Sequence, residues 1–291
     1  MTLHELLIQP FTEFGFMRRT LVACLCLAVS GAPLGTLLVL RRMSLMGDAM
    51  SHALLPGAAI AFAMAGFSLG AMSLGAFLAA LGVALLAGWL SRVTDQKEDA
   101  SFAAFYLIAL AAGVMIVSAH GSAVDLLHLL FGSALAVDES ALLGMAAANS
   151  IILILLALIY RPLILECFDP VFLRTSGGPG ALVHLCFLCL VVLNLVAGFL
   201  TLGTMMSVGL LMLPAIAARL WVHDVAALSL VAGALSMISS LLGLILSFHL
   251  SLPTGPSIIL MAGGLYGLSL LLGIHGGWLG RKLALRSHRE A

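Results

Sequence analysis

The sequence predicts an all-α membrane protein, a polytopic helical bundle of about nine transmembrane helices with a range of eight to ten. Three observations predict it. Of the 291 residues, 62% are hydrophobic and 9% charged, whereas soluble globular chains run at about 45–50% and about 25%. The apolar residues gather into runs of about 17 to 25, and about 20 helical residues at about 1.5 Å each cross a hydrocarbon core of about 30 Å. Short polar stretches punctuate the runs and leave no room for a soluble domain of ordinary size.

Residues 1–19 hold His4, Glu5, Glu13, Arg18 and Arg19, and no small-residue cleavage site follows the first apolar run. That run, 20–40, therefore reads as a retained helix rather than a signal peptide. The second, 48–66, follows Arg41 and Arg42 and carries Asp48, His52 and the helix-interrupting pair Pro56-Gly57. Runs at 69–90 and 102–119 flank the polar loop "SRVTDQKEDAS". The next stretch, "HGSAVDLLHLLFGSALAVDES", is too short and too interrupted to cross, so about 120–138 reads as an outer or re-entrant helical segment. After the run at 139–160, "YRPLILECFDPVFLRTSGGPG" places Leu163, Ile164, Phe168 and Phe172 among charges and closes on a breaker run. It reads either as a solvated connector or as a docking helix for a cytoplasmic partner. The last four runs are 182–202, 204–220, 225–249 and 256–278.

Lys and Arg accumulate in the short loops that stay in the cytoplasm. With the N-terminus outside, nine crossings place Arg41, Arg42, Arg92, Lys97, Arg161, Arg174, Arg219, Arg281, Lys282, Arg286 and Arg289 inside, against Arg18 and Arg19 outside. The expected layout is an outer-side segment at 1–19, one transmembrane domain at 20–280 with its cytoplasmic segment at about 161–180, and a cytoplasmic tail at 281–291. Formal net charge is zero. There is no basic field to hold nucleic acid and no acidic tail.

The chain lacks a phosphate-binding G-x-x-x-x-G-K-[ST] loop, because "SGGPG" has no Lys-Ser after it. "HELLI" begins like a zinc-protease motif, but Ile8 stands where the second histidine belongs. Cys24, Cys26, Cys167, Cys186 and Cys189 are odd in number and mostly within spans, which argues against a disulfide framework. The C-x-x-C of Cys186 and Cys189 reads as two small hydrophobes one helical turn apart. Asp48 and His52 are different. Four residues apart, they share one helix face, which Ser44 extends by a turn. Ionisable groups inside a bilayer cost at least a few kcal/mol and mark function by default. Carboxylate plus imidazole suits zinc, and with more oxygen it suits manganese. A hydrogen-bonded structural pair and a proton relay are the other readings. On the outer side Asp125, His128, Asp138 and Glu139 cluster with His120, as a cation-attracting vestibule or as a solvated rim.

At these residues the chain resembles the membrane permease subunit of the zinc/manganese ABC importer family. The stretches that carry the resemblance are "LVLRRMSLMGDAMSHALLPGAAIAF", "DLLHLLFGSALAV", "FDPVFLRTSG", "MSVGLLMLPAIAARL" and "LSFHLSLPTGPSIILMAGG", in that order. Lys97 departs from the arginine common there. The resemblance implies a type II ABC importer permease-like bundle and a homodimer in the bacterial inner membrane. Cytoplasmic ATP-binding-cassette subunits would supply the hydrolysis, and an extracytoplasmic metal-binding protein would deliver the cargo. It further implies that Asp48 and His52 lie on the metal path and that Glu166, Phe168, Asp169 and Pro170 couple to the ATPase. Under this reading the chain is not itself an enzyme and keeps no permanent cofactor; the divalent metal, zinc before manganese, is cargo. The alternatives are a proton-coupled secondary transporter of divalent metal and a membrane enzyme with a catalytic metal.

Overall fold

A computed structural model of the chain describes residues 9–66, 68–95, 98–120, 137–275 and 277–278. Every regular element among them is an α-helix. In chain order these are α1 (Gln9–Glu13), α2 (Gly15–Leu40), α3 (Met46–Ala65), α4 (Leu69–Val93), α5 (Glu98–His120), α6 (Glu139–Phe168), α7 (Pro170–Thr175), α8 (Gly180–Leu202), α9 (Thr204–Ala218), α10 (Val225–Leu250) and α11 (Thr254–Leu272). Eight of them are long and apolar enough to cross a membrane, and α9, at 15 residues, is shorter. Each of the nine expected runs contains a helix, although α11 ends at Leu272 instead of reaching 278 and α9 ends at Ala218 instead of 220. Of the segment expected at about 120–138 as outer or re-entrant, residues 121–136 lie outside the described residues.

Contacts between helix ends show how α9 fits. It starts where α8 stops, across Gly203, whose φ of 91° closes the turn in a region that residues with a Cβ rarely enter. At its far end the Leu220 carbonyl accepts from the His275 backbone N–H at 2.9 Å, and Trp221 Nε1 donates to Ser269 Oγ at 2.9 Å. The ends of α9 and α11 therefore meet, and α9 runs the same way as α11. Its 15 residues span only about 22 Å. Turn residues 219–221 extend it a little further.

The centre of the bundle is built by close backbone approach. A Cβ at Gly35 of α2 would run into the Leu211 carbonyl of α9, and Gly57 of α3 and Gly75 of α4 exclude a Cβ from each other in the same way. Without a hydrophobic force between helices in lipid, such small-residue contacts let dispersion and buried hydrogen bonds hold the helices together. Asn194 Nδ2 on α8 donates to Ser30 Oγ on α2 at 2.6 Å. Around these seams pack Leu34, Leu38, Met50, Leu54, Phe187, Val191 and Leu195, all fully buried.

Pro56 does not break α3, contrary to the sequence expectation. The helix continues through it to Ala65. Neighbouring helices hold the conformation, with Gly113 of α5 close against the proline ring. The chemical consequence of a proline survives: Pro56 has no N–H, so the carbonyl of His52, four residues earlier, loses its intrahelical donor.

Candidate metal path and its surroundings

The turn that leads into α3 is fixed before the site begins. Arg41 N–H donates to the Leu37 carbonyl and Met43 N–H to the Leu38 carbonyl, while Arg42 takes a φ of 60° to redirect the chain. Met43 and Met46 are buried and pin the turn to the core. Asp48 then falls in the first turn of α3, where unpaired backbone N–H groups favour an anion. His52 follows one turn later on the same face. The pair therefore sits near the start of α3 rather than halfway along it.

His52 Nε2 lies 3.7 Å from Asp48 Oδ1. That is too long for a direct hydrogen bond. It is close to the separation of two ligands on one ion, since atoms about 2.0–2.2 Å from a metal sit about 3–3.5 Å apart. Asp48 is 62% exposed at its side chain and His52 34%, so an ion can reach both. The imidazole stacks on Tyr106 of α5, with centroids 5.9 Å apart and planes inclined by 26°. Its Nδ1 is buried without a hydrogen-bond partner.

Opposite Asp48, across a cavity of about 110 Å³, stands Asp99 of α5, with Phe102 and Tyr106 completing the wall. Sequence reasoning left Asp99 in a polar loop. The available signal was its seven-residue spacing from Tyr106, which puts both on one helical face. Among the described residues no three His, Cys, Asp or Glu side chains form a ready metal cage. The arrangement offers two candidate ligands close together and a second carboxylate, Asp99, on the wall of the same cavity as Asp48. A larger cavity of about 330 Å³ between α4, α6 and α8 is lined by Ser73, Met145, Val196 and Thr201 with no ionisable group, so it is no place for a cation.

The expected coupling residues divide. Phe168 is exposed at the end of α6, and Asp169 turns its carboxylate back to accept from the Phe172 N–H at 2.8 Å, capping α7. Pro170 opens α7 at the position where a missing N–H does no harm. At the other end Gly178 N–H donates to the Leu173 carbonyl, after Gly177 has turned the chain at φ 76°. The result is a six-residue helix closed at both ends whose exposed Val171 and Phe172 follow exposed Phe168 at the end of α6. Glu166 faces the other way. Its side chain is 9% exposed, and its Oε1 lies 3.9 Å from Arg41 Nη2.

The expected vestibule is described only in part. Asp125 and His128 lie outside the described residues. Asp138 caps α6, its Oδ1 accepting from Ala141 N–H at 2.7 Å while Ser140 Oγ donates to the same carboxylate. These hydrogen bonds, the backbone one first, hold its carboxyl below the ordinary range, and the charge of Arg19 adds to the effect. Glu139 follows it in the first turn of α6. All five cysteines are free thiols.

The chain is 32% identical over 259 residues to the manganese transport system membrane protein MntC of Halalkalibacterium halodurans, covering 88% of this chain and 87% of that one. It is also 32% identical over 259 residues to the chelated iron transport system membrane protein YfeD of Yersinia pestis, with 89% and 86% covered. Among solved structures it superimposes on a chain of PsaBC from Streptococcus pneumoniae in complex with Fab, with a TM-score of 0.84, 27% identity, and 98% of this chain and 100% of that chain covered. The model of the ABC 3 transport family matches residues 13–273, a stretch that includes Asp48, His52, Asp99 and the α6–α8 segment, and the chain belongs to that family.

Proposed function

We propose that this chain is the membrane-spanning permease of an ATP-driven importer for a divalent transition metal. Two copies would form the path, cytoplasmic ATP-binding-cassette subunits would dock on α7, and an extracytoplasmic protein would hand over the ion. The observation that carries the reading is the open pair of Asp48 and His52, 3.7 Å apart, with Asp48 sharing one cavity with Asp99. A transported ion needs a stop that is favourable to enter and incomplete enough to leave. A closed four-ligand site would trap it.

In the orientation read from Lys and Arg, the end of the bundle that carries Arg41, Arg42, Glu166 and α7 faces the cytoplasm. The N-terminus then lies outside, and the Asp48–His52 pair lies toward the cytoplasmic end of the path. Two carboxylates beside one imidazole make an oxygen-rich donor set, which suits manganese. Of the two relatives, one is named for manganese and the other for chelated iron, which supports a transition metal that takes oxygen ligands. Zinc remains the second reading on the strength of the His52 nitrogen.

The test is reconstitution of the permease with and without its ATPase, with labelled manganese and labelled zinc offered separately. ATP-dependent uptake of manganese over zinc is the expected result. Uptake driven by a proton gradient in the absence of the ATPase would replace this reading with the secondary transporter.

A further inference from the structure

We propose that Arg41 is a positioning residue that ties the docking helix α7 to the turn carrying Asp48, through Glu166 on one side of α7 and His184 on the other. The proposal rests on the importer reading above and adds a coupling element to it. Arg41 caps α2 seven residues before Asp48, and its side chain is 8% exposed. Its Nη1 donates to His184 Nδ1 at 2.7 Å, its Nη2 approaches Glu166 Oε1 at 3.9 Å, and its Cζ lies 5.2 Å from the centre of the Phe187 ring. Glu166 precedes exposed Phe168 by two residues at the end of α6, and His184 lies in the second turn of α8. Both chain segments that hold α7 therefore converge on one guanidinium.

The fork is well made for this, because a guanidinium offers five donors in a fixed plane. It is also incompletely used. Glu166 Oε2 is buried without a hydrogen-bond partner, and the 3.9 Å approach of Oε1 is a charge contact rather than a formed hydrogen bond. A movement of about 1 Å between α6 and α2 would convert it into a paired, two-bond contact. A buried carboxylate with one loose contact and one idle oxygen would then have a tight arrangement besides the loose one it takes here. A bistable contact of this kind is what carries a displacement between sites. A push on α7 would tighten or release it and shift the Arg41–Met46 turn, and with it Asp48.

Three substitutions test this in the complete complex with its ATPase. Arg41→Lys keeps the charge and removes the fork, and Glu166→Gln keeps the shape and removes the charge. Gly180→Ala places a Cβ 2.6 Å from Glu166 Oε2 and so displaces the carboxylate while leaving both charged side chains chemically unchanged. Each should leave the ATPase bound and hydrolysing while metal taken up per ATP falls about tenfold, within the range that substitutions along a coupled contact produce. A ratio equal to the unsubstituted complex in all three would overturn the proposal. So would loss of the ATPase from all three, because the cluster would then serve docking.

A second measurement does not depend on transport. Spin labels at positions 45 and 171, both exposed in the native chain, on a background lacking the native cysteines, report the distance between the turn and α7. ATPase and nucleotide together should change that distance in the parent and leave it unchanged with Arg41→Lys. An unchanged distance in the parent would sink the latch. Absence of metal uptake by the parent complex, with the distance still changing, would instead count against the importer reading alone.

Discussion

Among the described residues, His52 and His184 each lie beside a charged partner, and their surroundings differ in almost every respect. His52 and Asp48 are one helical turn apart, exposed at 34% and 62%, and miss a hydrogen bond by about half an ångström. His184 and Arg41 are separated by 143 residues, joined at 2.7 Å, and closed off with Glu166 from the outside. The contrast follows from what burial costs. A polar group withdrawn from water must be paired, so the arginine cluster is fixed by its partners and any gap in it matters. A group left open can stay unpaired until something arrives. The arginine cluster joins helices through paired groups, and under the proposed function the open pair would be free to take an ion.

The contrast would break most visibly if the open pair tolerated substitution. Asp48→Asn removes the charge with the shape kept, and His52→Ala removes the nitrogen ligand. Each should lower metal uptake by about 100-fold or more, as loss of one ligand of a weak site removes several kcal/mol. The complex should still assemble, because neither side chain is on the α7 face. Uptake at the parent rate in equal amounts of folded complex would make the pair structural.

Substitution at the docking face is expected to rank next. Phe168→Ala combined with Asp169→Ala removes an exposed aromatic and the cap of α7 at once. A cap alone is worth about 1 kcal/mol and a buried aromatic anchor at an interface about 2 kcal/mol. Co-purification of the ATPase should fall by about 100-fold in affinity. Full coupling in the double variant would remove α7 from the mechanism.

Asp99 sharpens the comparison within the metal path itself. It faces Asp48 across the cavity and is not in the same turn, so its contribution depends on the ion bridging the gap. Asp99→Asn should weaken manganese uptake by about tenfold and zinc uptake less, because zinc is content with fewer oxygen ligands. Equal loss for both metals would mean that Asp99 acts by general charge rather than as a ligand.

What could be read in the sequence follows the range of the interaction. The spans, the i, i+4 pair and the amphipathic segment are local patterns, and each is helical in the structure, but the expected docking segment is divided: α6 continues through Pro162 to Phe168 and buries Leu163, leaving only Pro170–Thr175 as a separate helix. Arg41 and Glu166 were visible only as a loop charge and a member of the docking segment. Their meeting depends on α2, α6 and α8 converging at one end of the bundle, which no spacing within a single run encodes. Pro56 was misjudged for a related reason: propensity describes an isolated helix, and packing against α5 overrode it. Asp99 was missed because a charge next to a loop was assigned to the loop.

The smallest expected effect concerns Asp138, a third kind of polar group, exposed and satisfied by its own helix. Its carboxyl lies below the ordinary value of 3.8, held there first by the Ala141 N–H and then by Ser140. A lowered value in the folded state means that the unfolded chain binds the proton more readily. The cap therefore contributes stability above the ordinary value and loses it as pH falls through the lowered one. Asp138→Asn keeps a capping oxygen and removes this titration. The parent should lose a little more thermal stability than the variant between pH 5 and pH 3, while metal uptake at neutral pH stays the same in both. If Asp138→Asn instead reduced uptake as Asp48→Asn is expected to, its carboxylate would belong to the entry route for the ion, and the vestibule would extend from the helix cap into the segment that precedes it.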